Sequence, residues 1–482
     1  MEFSENCKPL SVFKYFEKLS SVPHGSGNTK AISDICVKFA TDRGLKYYQD
    51  EYNNVIIYKN GSAGREAEEP VIIQGHLDMV CAKRPDDPKD MSKEPVKLVI
   101  DGDYLRADNT SLGGDDTIAV AMALAILDDD SLSHPPIEAV FTTDEETGMF
   151  GAAGLDVSNL RGRRMLNVDS EEEGVFTAGC SGGMRANCEI PVKREKYGDG
   201  LVSYKVTVSG LLGGHSGCDI DKERGSSTKL ISRFLFKASK LLPLRLTELY
   251  GGEFDNVIPS KTEAVAAVSK IDAEKFENLA KEYDGIYKHE LSVSDPGVSL
   301  EVRRSDVKCD TLSLSDTEKI LTALYIMPQG IQHMSSDIKG LVQTSLNMGI
   351  IRLEKNSLKY SFAVRSSVLS QKKELLDRIT AVTGLAGGSV STHGEYPGWE
   401  YKKISPLRDA ALAAYRDVYG GEAVITATHG GLECGLFADK IPGLDCISYG
   451  PELHDIHSVS ERLGIASVKR VYDLTCRILE LI

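Results

Sequence analysis

Several short apolar runs of this chain end in side chains of the types that bind metal ions. In open α/β sheets, ligands gather just beyond the carboxyl ends of the strands, so residues that are distant in sequence can meet there. Five separate segments, each at the end of a strand-like run or the start of a helical one, supply His76 with Asp78, Asp115, Asp144-Glu145-Glu146, Asp169 and His457.

Each of these segments has an ordinary structural interpretation when it is taken alone. His76 and Asp78 are spaced as a pair on one face of a strand, and a satisfied surface pair has the same spacing. Asp115 is placed as a helix N-cap, Glu145-Glu146 as a solvated turn, and Asp169 as the start of a loop. Five segments with ligand-type residues at such ends are together better explained by one metal centre.

The chemistry of such a centre follows from the residue types. Imidazole and carboxylate ligands suit Zn²⁺, and also Mn²⁺ or Co²⁺. Two histidines and three carboxylates suit two ions ~3.5–4 Å apart, with one carboxylate bridging them and a water of lowered pKa between them. A general base that is not a ligand is then required, and Glu145 beside Glu146 is the natural candidate. The predicted ligands are His76, Asp115, Glu146, Asp169 and His457.

The first part of the chain predicts an α/β domain. Amphipathic helices are expected near residues 10–20 and 28–43, and a third helix over 116–127. Between and after them lie continuous Val/Ile runs, at 71–75 and 137–143 among others, which are typical of a largely parallel sheet.

The pattern changes at about residue 186. Apolar residues then alternate with period two and are interleaved with helical segments, which predicts an α+β domain with antiparallel strands. Two similar passes, about 200–290 and 298–395, suggest a duplicated unit. The α/β pattern returns near residue 399, so the sequence predicts a catalytic domain, 1–185 with 399–482, interrupted by a lid domain, 186–398.

Composition and charge exclude several classes of protein. The 482 residues are 41% hydrophobic and 26% charged, which are ordinary globular values. With 56 Lys and Arg against 71 Asp and Glu, the net charge is −15, which disfavours nucleic acid and anionic membrane surfaces as partners. The beginning of the sequence has no signal-peptide pattern and no apolar run is long enough to span a membrane, so we expect a cytoplasmic protein. Cys218 and Cys434 are interpreted as packing thiols.

Eight stretches of the chain together resemble one known family in its own order. They are GHLDMV (75–80), SLGGDDTIAVAMALAIL (111–127), TTDEETGMFGA (142–152), NVDSEEEG (167–174), GLLGGHSGCDI (210–220), TSLNMGII (344–351), THGGLECGLF (428–437) and GPELHDIHS (450–458). The chain is thereby identified as similar to the di-zinc aminoacylase/carboxypeptidase superfamily of exopeptidases, and within it to the aminoacyl-histidine dipeptidases. The resemblance implies a di-zinc exopeptidase-like catalytic domain with an inserted lid.

The resemblance also implies roles for the ligand residues. Asp115 would bridge the two ions, with His76 and Asp169 completing one and Glu146 and His457 the other. Asp78 would orient His76 and raise its basicity. In the family an aspartate at position 169 goes with aminopeptidase and dipeptidase activity, whereas a glutamate goes with carboxypeptidases and deacylases.

Further residues would contact the substrate. The resemblance suggests that His215 supports the oxyanion, where one donor is worth ~2.7–4 kcal/mol. Arg365 is a candidate clamp for a substrate carboxylate, because a guanidinium matches a carboxylate with two hydrogen bonds. Asn256 would add a polar contact, and Gly430 and Gly431 would allow the backbone to approach the substrate, although a structural role is an equal alternative for all of these but His215.

The sequence therefore predicts a metal-dependent dipeptidase of broad specificity for unblocked dipeptides of the Xaa-His type, with β-Ala-His as a further candidate substrate. An N-acyl amino-acid deacylase with the same metal site is the alternative, and a non-catalytic binding protein on this fold is a remote one. A homodimer is possible, and the sequence leaves open whether His215 acts within its own chain or across a dimer. His454 is a competing ligand candidate, but the family spacing favours His457.

Overall fold

The computed structural model describes residues 7–482. These residues form two compact units. The first contains the described residues up to Cys180 together with Trp399–Ala427 and Leu432–Ile482, and the second contains Ser181–Gly398 and Thr428–Gly431. The domain boundaries predicted above, 1–185, 186–398 and 399–482, stay a prediction.

The first unit is built on an eight-stranded sheet with helices. Its strands run in the order β1-β2-β6-β3-β7-β21-β8-β20, and a small four-stranded sheet has the order β22-β23-β5-β4. Its elements are α1 (Leu10–Leu19), α2 (Lys30–Asp42), β1 (Lys46–Gln49), β2 (Val55–Lys59), β3 (Val71–His76), β4 (Leu98–Asp101), β5 (Tyr104–Ala107), α3 (Gly114–Asp128), β6 (Ile137–Thr142), α4 (Phe150–Gly154), β7 (Arg164–Asn167), β8 (Val175–Cys180), α9 (Pro406–Tyr419), β20 (Val424–Thr428), α10 (Glu433–Lys440), β21 (Asp445–Ser448), β22 (Leu453–His454), β23 (Arg462–Gly464) and α11 (Ile465–Leu481).

The central strands of this sheet pair in parallel. Strands β6, β3, β7 and β21 are parallel neighbours, while β1–β2, β2–β6 and β21–β8 pair antiparallel. Every residue of β3 and β6 is buried, as expected for strands that are covered on both faces. Helix α3 packs against β3 and α1 and has 13 of its 15 residues buried, so its apolar residues cover all sides.

The second unit is built on a nine-stranded antiparallel sheet. Eight strands run in the order β14-β11-β13-β12-β17-β18-β9-β19, and β16 pairs with β17. Its elements are β9 (Gly182–Pro191), β10 (Arg194–Glu195), β11 (Leu201–Ser209), α5 (Ser227–Leu241), β12 (Arg245–Gly251), β13 (Thr262–Ser269), α6 (Ala273–Glu290), β14 (Ser299–Ser305), β15 (Thr311–Leu312), α7 (Leu314–Ile326), β16 (Gly330–Met334), β17 (Val342–Leu353), β18 (Ser357–Ser366), α8 (Leu369–Leu385) and β19 (Ser389–Tyr396).

This sheet contains a β-α-β-β-α-β arrangement twice. The first copy is β11-α5-β12-β13-α6-β14, and the second is β9-α7-β17-β18-α8-β19, so the strand orders of the two copies mirror each other about the β12–β17 pair. The sequence suggested a duplication but placed the second copy wholly after the first. The structure differs because β9, which precedes the first copy, pairs with β18 and β19 of the second.

Candidate metal centre

Three of the predicted ligand segments lie at one edge of the first unit's sheet. Strand β3 ends at His76, and the parallel register pairs His76 with Thr142 at the end of β6 and Gln74 with Asn167 at the end of β7. The residues that follow these strand ends are Asp78, Glu145 with Glu146, and Asp169. The sheet therefore places these three segments next to one another.

The other two ligand candidates come from irregular backbone. Asp115 is the second residue of α3 by its bounds, but its φ of −82° and ψ of 104° are not helical. It is therefore not the N-cap that its position suggested. His457 lies in the loop between β22 and β23 with a φ of 58°, in the left-handed region.

The carboxylate of Asp115 lies between the two histidines. Its Oδ1 is 3.2 Å from His76 Nε2, and its Oδ2 is 3.2 Å from His457 Nε2. Asp169 Oδ1 is 3.7 Å from His76 Nε2, and Glu146 Oε1 is 2.9 Å from His457 Nε2. One oxygen of Asp115 thus faces each imidazole, and each Nε2 atom has one further carboxylate oxygen beside it.

The donor set fits metal ions. Ligand atoms of His76, Asp115 and Glu146 lie within 4.8 Å of one another, and so do those of His76, Asp116 and Asp169. Glu146 Oε1 is buried and has no hydrogen-bond donor in the part of the chain that the structure describes, since its short contact with His457 lacks hydrogen-bond geometry. A buried acceptor without a donor is costly, and a cation between these atoms would satisfy it.

The pKa shifts of the cluster also favour bound cations. Burial alone would lower the pKa of His76, but hydrogen bonds to Asp115 and Asp78 and the charge of Asp169 raise it well above its usual range. The adjacent carboxylates of Asp115 and Glu146 raise the pKa of His457 to about 10. Burial and the nearby Asp116 raise the pKa of Asp169. These shifts show a surplus of negative charge that attracts positive charge, as protons or as metal ions.

Asp78 connects the end of β3 with the turn that follows β6. Its backbone oxygen is 3.0 Å from His76 Nδ1, and its carboxylate oxygen Oδ1 is 3.5 Å from the same nitrogen. The carboxylate also accepts the backbone N–H groups of Glu145 at 3.1 Å and Glu146 at 3.3 Å, and the hydroxyl of Ser26 at 2.7 Å. Asp78 therefore orients His76 and fixes the turn that carries Glu145.

Glu145 differs from its neighbours in the cluster. Burial, reinforced by the charges of Glu433, Glu146 and Asp115 and opposed by that of His76, raises its pKa to about 8. No ion pair joins its carboxylate to either histidine in the described residues. This environment favours a carboxylate that accepts and releases a proton.

The competing histidine, His454, is placed elsewhere. Its Nε2 is 2.8 Å from Glu452, and its ring packs against Tyr104. His457, not His454, contacts the carboxylates of the cluster.

The second unit holds His215 in a defined tautomer. Its Nδ1 accepts the backbone N–H groups of Gly217 at 3.3 Å and Cys218 at 3.1 Å, so in the neutral ring the proton is on Nε2. Burial and the charge of Arg365 lower the pKa of His215, which favours this neutral form. His215 is therefore prepared to donate a hydrogen bond from Nε2.

Cys218 is exposed, so its interpretation as a packing thiol is wrong, whereas Cys434 is buried 3.4 Å from the sulfur of Cys446.

Arg365 is a buried cation without a carboxylate partner in the described residues. Its side chain is 6% exposed, and it donates one hydrogen bond, from Nη1 to the hydroxyl of Tyr396 at 3.1 Å. Its Nε has no hydrogen-bond partner among residues 7–482. Since a buried charge is costly unless it is paired, an anionic ligand would compensate Arg365.

Asn256 lies in a loop beside His215. The backbone oxygen of Asn256 accepts from Ser216 N at 2.8 Å, and the side chain of Asn347 donates to the carbonyls on either side, Asp255 at 3.0 Å and Val257 at 2.8 Å. The loop is thus fixed by backbone contacts, while the structure records no partner for the Asn256 side chain.

The two glycines after His429 have unequal surroundings. A Cβ at Gly431 would lie 2.7 Å from the ring of Tyr396, so packing alone already requires glycine there. At Gly430 a Cβ would meet only the Thr428 hydroxyl, at 3.3 Å.

Comparison with known proteins decides the family. A model of peptidase family M20/M25/M40 matches residues 72–481. The chain belongs to this family. The cytosol non-specific dipeptidase of Escherichia coli (strain K12) is 34% identical to this M20 chain over 472 residues, 98% of this chain and 97% of the relative.

Solved structures of M20 peptidases have the same fold as this chain. The crystal structure of aminoacylhistidine dipeptidase from Vibrio alginolyticus superposes with a TM-score of 0.95 at 34% identity, covering 99% of this chain and 98% of the other. Aminopeptidase PepT from Bacillus cereus shares the fold, with a TM-score of 0.56 at 14% identity over 98% of both chains. The predicted family, the α/β fold class with an inserted α+β unit and the metallopeptidase class are confirmed.

Several residues around the M20 centre were not singled out from the sequence. Asp116 accepts the backbone N–H of His76 at 3.2 Å, and its position beside Asp115 was the only available signal. Glu433 is buried among Gln74 and Thr142, and Glu461 among backbone amides near Asp115. A buried carboxylate that binds non-local groups leaves no local pattern in a sequence, so these two could not be found that way.

No helix within residues 7–482 has the length and apolar character needed to cross a bilayer.

Proposed function

We propose that this chain hydrolyses unblocked dipeptides at two metal ions held by His76, Asp115, Glu146, Asp169 and His457. The dipeptidase class predicted from the sequence is confirmed by its relatives, whereas the roles of the individual residues are the proposal. The observation that carries it is the carboxylate of Asp115, which presents one oxygen to each of the two histidines at 3.2 Å.

The two ions are proposed to be Zn²⁺, with Mn²⁺ or Co²⁺ as substitutes. Mixed imidazole and carboxylate ligands suit all three metals. When bound, such a pair polarises the scissile carbonyl and lowers the pKa of a bound water. Asp115 would serve both ions, His76 with Asp169 one, and Glu146 with His457 the other.

Glu145 is proposed as the general base. Its carboxylate takes a proton from the attacking water and returns it to the leaving amine. Two features support this role: burial raises the pKa of Glu145 to about 8, and its backbone is fixed by Asp78, which also orients His76. A base whose pKa lies near neutrality both accepts and releases a proton efficiently.

Three residues of the second unit are proposed to hold the substrate. His215 donates Nε2–H to the oxyanion as it forms, since its Nδ1 is already occupied by two backbone amides. Arg365 binds the free carboxylate of the dipeptide, which would pair this buried guanidinium. Asn256 supplies a further polar contact.

The deacylase alternative is not favoured. The two relatives at 34% identity are named as dipeptidases. Asp169, which the family resemblance associates with dipeptidases, is consistent with this. The name of the Escherichia coli relative also supports a cytoplasmic location, and a homodimer stays a prediction.

Hydrolysis of a small substrate panel tests the proposed function. The protein is stripped of metal, reloaded with Zn²⁺ or Mn²⁺, and assayed with Ala-His, β-Ala-His, Leu-Gly, Gly-Gly-Gly and N-acetyl-Leu. We expect cleavage of free dipeptides that disappears with a chelator and returns with metal. Cleavage of N-acetyl-Leu alone would instead identify a deacylase, and cleavage of no free dipeptide would contradict the proposal.

A further inference from the structure

Glu461 is a buried carboxylate that binds backbone rather than side chains. It is 2% exposed and comes four residues after His457, immediately before β23. Its Oε2 accepts the N–H groups of Leu112 at 2.8 Å and Gly113 at 3.2 Å, and its Oε1 accepts that of Gly114 at 2.7 Å. One side chain thus binds three consecutive amides, directly before Asp115.

The segment before Asp115 needs such a partner. The first amides of a helix have no acceptor within the helix, and Gly113, at the N-cap position of α3, has no side chain to provide one. Gly113 has a φ of 72°, and the non-helical angles of Asp115 and Asp116 interrupt the helix just after it begins. The place of Asp115 therefore depends on what holds the three amides, and in the structure that is Glu461.

Glu461 and His457 belong to one loop, and both contact the Asp115 segment. His457 Nε2 lies 3.2 Å from Asp115 Oδ2, and Glu461 binds the amides just before Asp115. The loop and the segment are therefore linked at two points, one through the ligand side chains and one through the backbone. The second link fixes the backbone positions from which Asp115 and His457 extend.

We propose that Glu461 is a positioning residue for the metal pair, which acts through Asp115 and His457 and touches neither ion nor substrate. Its loss would chiefly weaken the ion assigned to Glu146 and His457, since that ion takes ligands from both linked segments. The ion assigned to His76 and Asp169 keeps two ligands at the ends of β3 and β7. The inference rests on the ligand assignment of the proposed function, but not on the substrate.

Metal binding by variants tests this proposal. In Glu461→Gln the amide nitrogen would face a backbone N–H, so at least one of the three hydrogen bonds is lost while the volume is kept. Glu461→Asp keeps the charge but is shorter by one methylene. Glu452→Gln is the control, because Glu452 lies near the same loop and binds His454 instead. Stepwise Co²⁺ titration followed by absorption spectra reports each ion, and thermal melting reports folding.

We expect Glu461→Gln to fold and to bind one of two ions roughly 10–100-fold more weakly, the range for partners that orient metal ligands. Its kcat at limiting metal should fall and recover with excess metal, while KM stays within about twofold. Glu461→Asp should lie between Glu461→Gln and the wild type, and Glu452→Gln should match the wild type.

Unchanged affinity for both ions in Glu461→Gln would overturn the proposal, whether or not the melting temperature falls. An equal loss for both ions that follows the loss of folded protein would do so as well, because Glu461 would then only stabilise the fold. If Glu461→Gln does not fold, Glu461→Asp decides by the same criteria. A wild type that binds two ions but cleaves no dipeptide would contradict the proposed function and leave this test intact.

Discussion

At the scale of single residues, the metal centre depends on which atom of each side chain faces its neighbour. Asp115 turns one oxygen to each histidine, Glu146 has a buried oxygen without a donor, and Asp78 occupies the far nitrogen of His76. The residue types and their places at strand ends were predictable from the sequence. The break in α3 at Asp115 was not, because GGDD followed by an apolar run is also the pattern of an ordinary capped helix.

Arg365 gives a prediction about substrate binding. Arg365→Met removes a buried guanidinium that has no carboxylate partner within residues 7–482, so the free energy of unfolding should stay the same or increase. KM for Leu-Gly should rise roughly 10–100-fold, corresponding to about 1.5–3 kcal/mol for a hydrogen bond to a charged group, with little change in kcat.

The C-terminal amide of Leu-Gly provides the matched substrate. The wild type should strongly prefer the free acid, and Arg365→Met should lose most of this preference. Arg378→Met, which changes an exposed arginine of α8, should keep it. A variant of Arg365 that still prefers the free acid to the wild-type extent would show that another group binds the carboxylate.

His429 gives a prediction about pH. Burial and the charge of Arg365 lower its pKa to about 3, and its Nε2 lies 2.7 Å from the Ser345 hydroxyl. Below about pH 6.5 the unfolded chain therefore binds a proton that the folded chain does not. The free energy of unfolding then falls by up to about 1.4 kcal/mol for each pH unit of acidification. Above pH 6.5 this contribution disappears.

Urea unfolding of the wild type and His429→Gln between pH 7.5 and 5 measures this difference. Glutamine does not titrate and can still form a hydrogen bond with Ser345. As the pH falls, the free energy of unfolding of the variant should therefore increase relative to that of the wild type. Parallel pH profiles for the two proteins would mean that folded His429 titrates normally.

At the scale of elements, a buried polar network joins the strands that carry the ligands. Asn167 donates to Gln74 at 2.5 Å, and Gln74 and Thr142 donate to one oxygen of Glu433 at 2.5 and 2.6 Å. These residues lie on β7, β3, β6 and the first turn of α10, just before or beside the metal-binding ends. The strands were predictable from their apolar runs, but this network was not, because its members are far apart in sequence and each is an ordinary polar residue locally.

Glu433→Ala tests the network. It removes the acceptor that Gln74 and Thr142 share and leaves them only longer contacts, from Gln74 to the Thr142 hydroxyl at 3.2 Å and from Thr142 to Gly75 O at 3.4 Å. The free energy of unfolding should therefore fall by roughly 1–3 kcal/mol. Glu433→Gln keeps an acceptor and should lose less. Asp439→Ala, an exposed change on the same helix, should stay within about 0.5 kcal/mol of the wild type in urea unfolding. A similarly small effect of Glu433→Ala would show that the network is not stabilising.

At the scale of the whole molecule, the chain forms two compact units, one of them twice interrupted along the sequence. The return of the α/β pattern near residue 399 predicted one insertion, and not the second break at Thr428–Gly431. The nesting of the two repeat copies was not predictable, since period-two alternation identifies strands but not their distant partners. His215 follows β11 of the first copy and Arg365 lies on β18 of the second, so the two copies bring these residues near enough for the charge of Arg365 to lower the pKa of His215 within one chain.

The metal content and turnover of Glu145→Gln, measured together, test the two-metal mechanism. A general base that is not a ligand can be neutralised without loss of metal, so we expect two ions per chain, an unchanged KM and a kcat about 10²–10⁴-fold lower for a free dipeptide. Glu172→Gln, an exposed change in the nearby acidic run, should match the wild type in both readouts. Full metal content with wild-type turnover, or a loss of metal that accounts for the lost turnover, would contradict the assignment of Glu145 as the base of a two-metal dipeptidase.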